Sequence, residues 1–316
     1  MTRLLPLAAL AGLMLTGTAF AAPNVVASTK PVHSLVAAVM AGVGEPGLIV
    51  KGAASPHTYS LRPSDAQALE NADIVFWTGH GLELFLAEAL GSLATKAETV
   101  ELADAEGITL LPVREGGAFE AHSDGDDHAG EKHDHEHEHD HADEVSEGDM
   151  HFWLDPENAK LMVAEIARVL AKADPDNAAA YNANAETEIA ALDALETEIA
   201  ASLTAVTGKP FVVFHDAYQY FENRFGLTVA GSITVSPETM PGAARVDELR
   251  TKVAELGATC VFAEPNFEPA IVSTIIEGTD AKAGVLDPEG SALPEGPALY
   301  GELLRGLARG LVDCLK

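Results

Sequence analysis

Residues 174–203 read DPDNAAAYNANAETEIAALDALETEIAASL, and the organisation of the chain turns on them. Asp174-Pro175 is a helix start, since proline at the first helical position gives up no hydrogen bond and has its φ already set. Beyond it Tyr181, Ala185, Ile189, Leu192, Leu195, Ile199 and Leu203 recur at spacings of three and four, which line one face of a helix. A single helix over 175–203 would be about 43 Å long at ~1.5 Å per residue, more than the diameter of a small domain. It is expected to be a rigid strut between two lobes. The predicted organisation is an N-terminal lobe over 22–174, a linking helix over 175–205 and a C-terminal lobe over 206–316.

Both flanks alternate strand with helix. Upstream, strands are predicted at 24–28, 48–50, 73–77 and 99–102, with helices at 31–43, 65–71 and 82–93, and Asp155-Pro156 starts a further helix to about Ala173. Downstream, strands are predicted at 211–214, 227–229, 259–263 and 283–286, with helices at 218–225, 244–256, 269–277 and 298–315. Alternation of this kind predicts an α/β fold, each lobe a parallel sheet flanked by helices. The halves share a rhythm without a readable sequence repeat.

Residues 1–21 stand apart from this pattern. Arg3 precedes an apolar run from Leu4 to Leu15, and Ala19-Phe20-Ala21 offers a small-x-small cleavage site, the pattern of a secretory signal peptide. Cleavage near Ala21 predicts a soluble protein exported to the periplasm, because no later apolar run reaches the roughly 18 residues of a membrane helix. The 316-residue chain has a formal charge of −30. Such a surface repels phosphate backbones, so nucleic acid is not expected as a partner. The two cysteines, Cys260 and Cys314, are an even count in an exported protein, which favours a disulfide over a pair of zinc-binding thiolates.

Much of the acidity lies in residues 119–148, which hold His122, His128, His133, His135, His137, His139 and His141, the last five alternating with Asp and Glu. Imidazole and carboxylate are ligands that zinc accepts, and a segment with so few apolar residues cannot bury enough surface to fold alone. It is expected to be a disordered loop with weak metal sites. His151 differs, standing beside Phe152 and Trp153 just before the Asp155-Pro156 helix start.

In open α/β sheets ligands gather beyond the C-terminal ends of the strands. His57 follows the predicted strand 48–50, His215 ends 211–214 and Asp287 ends 283–286, while His151 closes the first lobe. Two candidates thus come from each lobe, so both lobes can face one ion across the interlobe cleft. Three imidazoles with a carboxylate or a water complete the tetrahedral shell of zinc. His33 and His80 lack partners at ligand spacing and read as structural; Glu264 and Asp155 are candidates to orient ligand imidazoles.

These residues resemble, in order, the four motifs of the metal-binding solute receptors of ABC importers: Ser-Pro-His57-Thr-Tyr-Ser-Leu-Arg-Pro-Ser-Asp, Asp-Met-His151-Phe-Trp-Leu-Asp-Pro, Phe-His215-Asp-Ala-Tyr and Leu-Asp287-Pro. Within that family the chain is most similar to the periplasmic zinc-binding component of the high-affinity zinc importer (ZnuA type), which also carries an acidic His-rich loop before its second histidine. The resemblance covers the mature chain. It implies a monomeric receptor of two lobes joined by a rigid helix, zinc held between them, and delivery to a permease driven by a cytoplasmic ATPase. Manganese members carry Glu at the position of His215, so this histidine points to zinc. Cys260 and Cys314 also resemble the zinc subgroup's disulfide. Some zinc members have Glu directly before the first histidine, where this chain has Pro56, which leaves Asp287 or a water as fourth ligand.

Two other functions share some of these features. Three protein ligands and a water also describe a zinc hydrolase, but no His-Glu-x-x-His pair supplies a base. A periplasmic zinc buffer would use the acidic loop as its main site.

Overall fold

The computed structural model describes residues 22–114, 119, 148–234, 242–257, 259–265, 267 and 270–316. Val25–Ala27 (β1), Lys30–Val39 (α1), Gly47–Leu48 (β2), Pro63–Glu70 (α2), Ile74–Trp77 (β3), Leu84–Leu93 (α3) and Glu98–Glu101 (β4) form the N-terminal lobe's sheet and its helices. The sheet is parallel throughout, in the order β2-β1-β3-β4. Leu111–Pro112 (β5) pairs antiparallel with Gly148–Asp149 (β6), and Pro156–Ala173 (α4) and Ala178–Leu203 (α5) follow. Phe211–His215 (β7), Gln219–Phe225 (α6), Val229–Thr234 (β8), Ala243–Leu256 (α7), Cys260–Ala263 (β9), Ala270–Ile276 (α8), Lys282–Val285 (β10) and Leu299–Leu315 (α9) make the second lobe. Its sheet is also parallel, in the order β10-β9-β7-β8. In both lobes the first strand therefore lies between the second and the third, so the halves share one topology despite their unlike sequences.

The strands read as apolar runs because both faces of each sheet are covered. Successive side chains point to opposite faces. Val25, Ala27, Ile74 and Phe76 enter one core while Val26, Val75 and Trp77 enter another under α2 and α3. In the second lobe Phe211, Val213, Cys260 and Phe262 join the first core, whereas Val212, Phe214, Val261 and Ala263 form a third. The first core is thus continuous through both lobes. The α5 helix packs on it, contacting α1 and α4 of the first lobe and α6 and α9 of the second, with Tyr181, Leu192, Leu195, Ile199 and Leu203 buried.

The linking helix starts later than its proline suggests. Pro175–Asn177 is a 3-10 turn, in which Asp174 accepts from Asn177 Nδ2 (2.7 Å) and the Tyr181 hydroxyl (2.9 Å). The α-helical part has 26 residues, or about 39 Å. The strand expected at 227–229 is displaced as well, running from Val229 to Thr234. Gly226, at φ 64°, ends α6, and Leu227 N–H turns back to Glu222 O (3.0 Å), so Leu227 belongs to the helix end. Cys260 and Cys314 are joined, tying β9 to α9 with 6.1 Å between their Cα atoms.

Candidate metal centre

Two loops and the end of a strand bring three imidazoles together. His57 lies on the Gly/Pro/Ser-rich turn after β2, its N–H donating to Ser55 Oγ (3.3 Å). Behind it the Tyr59 hydroxyl contacts Ile49 O (3.1 Å) and Asp65 Oδ2 (2.8 Å), which pins the turn to the lobe. His151 stands between β6 and the 3-10 turn Phe152–Leu154, its backbone N–H (3.0 Å) and Nδ1 (2.8 Å) both against Asp149 Oδ1. His215 is the last residue of β7, its Nδ1 2.6 Å from Glu264 Oε1, and Glu264 directly follows β9. The β7/β9 pair is where chain order reverses within that sheet, the position at which α/β folds bind ligands.

The donor atoms fit a metal ion. Carboxylates hold the Nδ1 atoms of His151 and His215, leaving each Nε2 to point inward with its lone pair. His215 Nε2 is 3.2 Å from His151 Nε2, which is 3.4 Å from His57 Nε2. A tetrahedral zinc with Zn–N bonds of about 2.0–2.1 Å has ligand–ligand edges of roughly 3.3–3.4 Å. The three ligand atoms all lie within 4.8 Å of one another, and among the described residues no other group of three His, Cys, Asp or Glu does so. His151 (7% exposed) and His215 (3%) are buried, and His57 forms the half-buried corner.

Their charge states differ. Burial and the neighbouring His215 and His151 hold His57 well below the ordinary histidine value, so its ring is neutral. For His215 burial acts in the same direction, but the charge and hydrogen bond of Glu264, with Asp216 and Asp149 behind, outweigh it and raise the pKa above 6.5. Tyr218 OH also donates to Glu264 (3.3 Å).

Asp287 lies outside the donor group. Its Oδ1 accepts from Glu289 N–H (3.3 Å), and its Oδ2 from Ser291 Oγ (3.0 Å) and Ala292 N–H (3.3 Å), so its lone pairs close a turn. Of the two acids expected to orient imidazoles, Glu264 does so and Asp155 does not. Asp155 caps α4 through Glu157 N–H (2.9 Å) and pairs with Arg224 (2.7 Å). Asp149 holds His151 instead; the i, i+2 spacing Asp149-x-His151 was its only trace in the sequence. His33 contacts Pro46 O (3.1 Å) and His80 pairs with Glu101 (2.8 Å), both away from the triad. With Cys260 and Cys314 in a disulfide, neither offers a thiolate. His122, His128, His133, His135, His137, His139 and His141 lie outside the described residues.

Comparison with known proteins points to the same chemistry. The family described as zinc-uptake complex component A, periplasmic, matches residues 25–314. A Brucella abortus protein named high-affinity zinc uptake system protein ZnuA is 54% identical, covering 92% of this chain and 91% of its own. Its namesake from Paracoccus denitrificans is 40% identical over 93% and 92% of the two chains. Among solved structures, a crystal structure of ZnuA superposes with a TM-score of 0.74 at 24% identity, over 93% of this chain and all of that one (100%). The laminin-binding protein Lmb of Streptococcus agalactiae, described as an adhesin with metal-transporting activity, superposes at 0.73 with 26% identity over 93% and 100%. The chain belongs to the ZnuA family of periplasmic zinc-uptake components.

Proposed function

We propose that the chain is a zinc receptor that captures the ion outside the inner membrane and delivers it to an ABC permease with a cytoplasmic ATPase. The observation that carries this reading is the convergence of three imidazole Nε2 atoms at 3.2 and 3.4 Å, two of them oriented by carboxylates. His57, His151 and His215 are the proposed ligands, with Asp287 or a water as the fourth. Asp287 accepts three hydrogen bonds from its own turn, from Glu289, Ser291 and Ala292. Residues 1–21 are proposed as the signal peptide, and 22–174, 175–205 and 206–316 as lobe, linking helix and lobe of a monomer. The seven histidines from His122 to His141 are proposed as weaker zinc sites that feed the cleft.

The chain is a solute-binding transport component rather than an enzyme, in keeping with its relatives' names. The carboxylates nearest the triad, Asp149 and Glu264, already accept from imidazoles, so neither is free to act as the base of a hydrolase. The test is zinc titration of the mature protein against a chromophoric chelator, paired with zinc uptake by cells lacking and regaining the gene. One tight zinc per chain and restored uptake are expected. Tight binding without restored uptake would indicate a buffer.

A further inference from the structure

The residue that sets His151 is itself held from the other lobe. Gln219, the first residue of α6, places Nε2 3.0 Å from Pro112 O and 3.2 Å from Asp149 Oδ2. A carbonyl and a carboxylate are both acceptors, so the amide nitrogen, with two hydrogens, is the only end of Gln219 that satisfies them. Next to it the Tyr220 hydroxyl accepts from Leu111 N–H (2.8 Å), which directs its own hydrogen to Asp149 O (2.7 Å). Gln219 (8% exposed), Tyr220 (3%) and Asp149 (6%) are all buried. The β5/β6 ribbon to which Asp149 belongs has only two residues per strand, too few to hold a side chain in place unaided. Its position comes from α6.

We propose that Gln219, supported by Tyr220, is a positioning residue for metal binding: through Asp149 it fixes the Nδ1–H tautomer of His151, so that one C-terminal-lobe helix sets ligands from both lobes. His215 lies only four residues before Gln219, and His151 is tied to the same helix through Asp149. The two buried imidazoles therefore form one preset pair, assembled only when α6 is seated on the ribbon. The consequence for zinc rests on the receptor reading above. The positioning of His151 does not, since it is a property of the metal-free protein.

Two measurements separate these. Imidazole 15N shifts of metal-free protein should show His151 wholly as the Nδ1–H tautomer, and Gln219→Met should convert it to a mixture while the His215 signals stay as in the parent and unfolding stays cooperative, at a melting temperature lowered by the lost buried bonds. Chelator competition should show zinc bound about 10- to 100-fold more weakly by Gln219→Met, the loss usual for a residue that orients a ligand. In an Asp149→Ala background the same substitution should have no further effect. Tyr220→Phe should change the tautomer in the same direction by less, and it carries the test if Gln219→Met does not fold. An unchanged His151 tautomer in a folded variant, or an additive loss in the double variant, overturns the proposal. If the parent protein binds no zinc, the receptor reading fails while the tautomer measurement still decides this one.

Discussion

His215 has its Nδ1 held by Glu264, which raises its pKa, whereas burial and the facing imidazoles keep His57 neutral. Zinc must displace the proton of His215 but none from His57. Affinity should therefore fall with acidification, beginning above pH 6.5, by up to about tenfold per pH unit for the proton that His215 gives up. Chelator competition between pH 8 and 5.5 measures the slope, and a flat profile would contradict the assignment. His215→Ala and His57→Ala should each abolish tight binding, because each removes one of at most four bonds. A second residue bears on stability rather than on zinc. Glu83 is 0% exposed and accepts from Thr78 N–H (2.7 Å) and Gly79 N–H (3.2 Å), and burial pushes its pKa to about 7. The folded state then holds a proton that the unfolded chain releases near pH 4.5, so Glu83 lowers stability as pH rises from there through 7. Glu83→Gln keeps an acceptor oxygen and removes the titration. Denaturant unfolding at pH 5 and 8 should show the variant gaining on the parent at pH 8, by on the order of 1–3 kcal/mol. No gain at pH 8 would mean that the carboxylate is ionised in the fold without penalty.

Among the elements, long helices and apolar strands were legible because their side chains repeat with a period. The ribbon β5/β6 was not, since two residues contain no period to read. An acid on such a ribbon, like Asp149, carries no pattern that marks it as an imidazole's partner, whereas Asp155 carries the sequence mark of a helix start. The proline at 175 marked the correct region but not the first α-helical residue, because a 3-10 turn also accepts proline at its start. His57, His151 and His215 were readable from strand ends and motif. The distances between them were not, because they depend on how two separately folded sheets face each other. The same ribbon carries a prediction. Arg114, just beyond β5, donates to Asp216 and to both oxygens of Glu222 (2.8 and 2.9 Å), whose side chains are each 7% exposed. Arg114→Ala leaves two buried carboxylates unpaired, which typically costs about 3–5 kcal/mol for a buried pair. Chemical denaturation should show that loss, and a change below about 1 kcal/mol, the range of a surface pair, would mean that water replaces the guanidinium.

At the scale of the whole molecule, the contacts between the lobes decide how the metal site can open. Lys30 Nζ in the first lobe donates to Ser291 O (2.9 Å) and Leu293 O (2.8 Å) in the second. Trp153 Nε1 donates to Pro288 O (3.0 Å), and Tyr300 OH donates back to Trp153 O (2.6 Å). Trp153 and Tyr300 are both fully buried within the core that runs through the two lobes. Swinging the lobes apart would break these bonds and expose that core, at about 25 cal/mol for each Å2 of apolar surface uncovered. The α5 helix, packed against helices of both lobes, resists the same motion. Zinc release therefore has to come from the loops that carry the ligands, the turn with His57 being the half-buried one. Small-angle scattering of zinc-free and zinc-loaded protein should give the same radius of gyration within error. Hydrogen exchange should slow on loading in the turn around His57 and leave α5 unchanged. A compaction of the kind produced by hinge closure, or altered protection in α5, would show that the shared core parts after all.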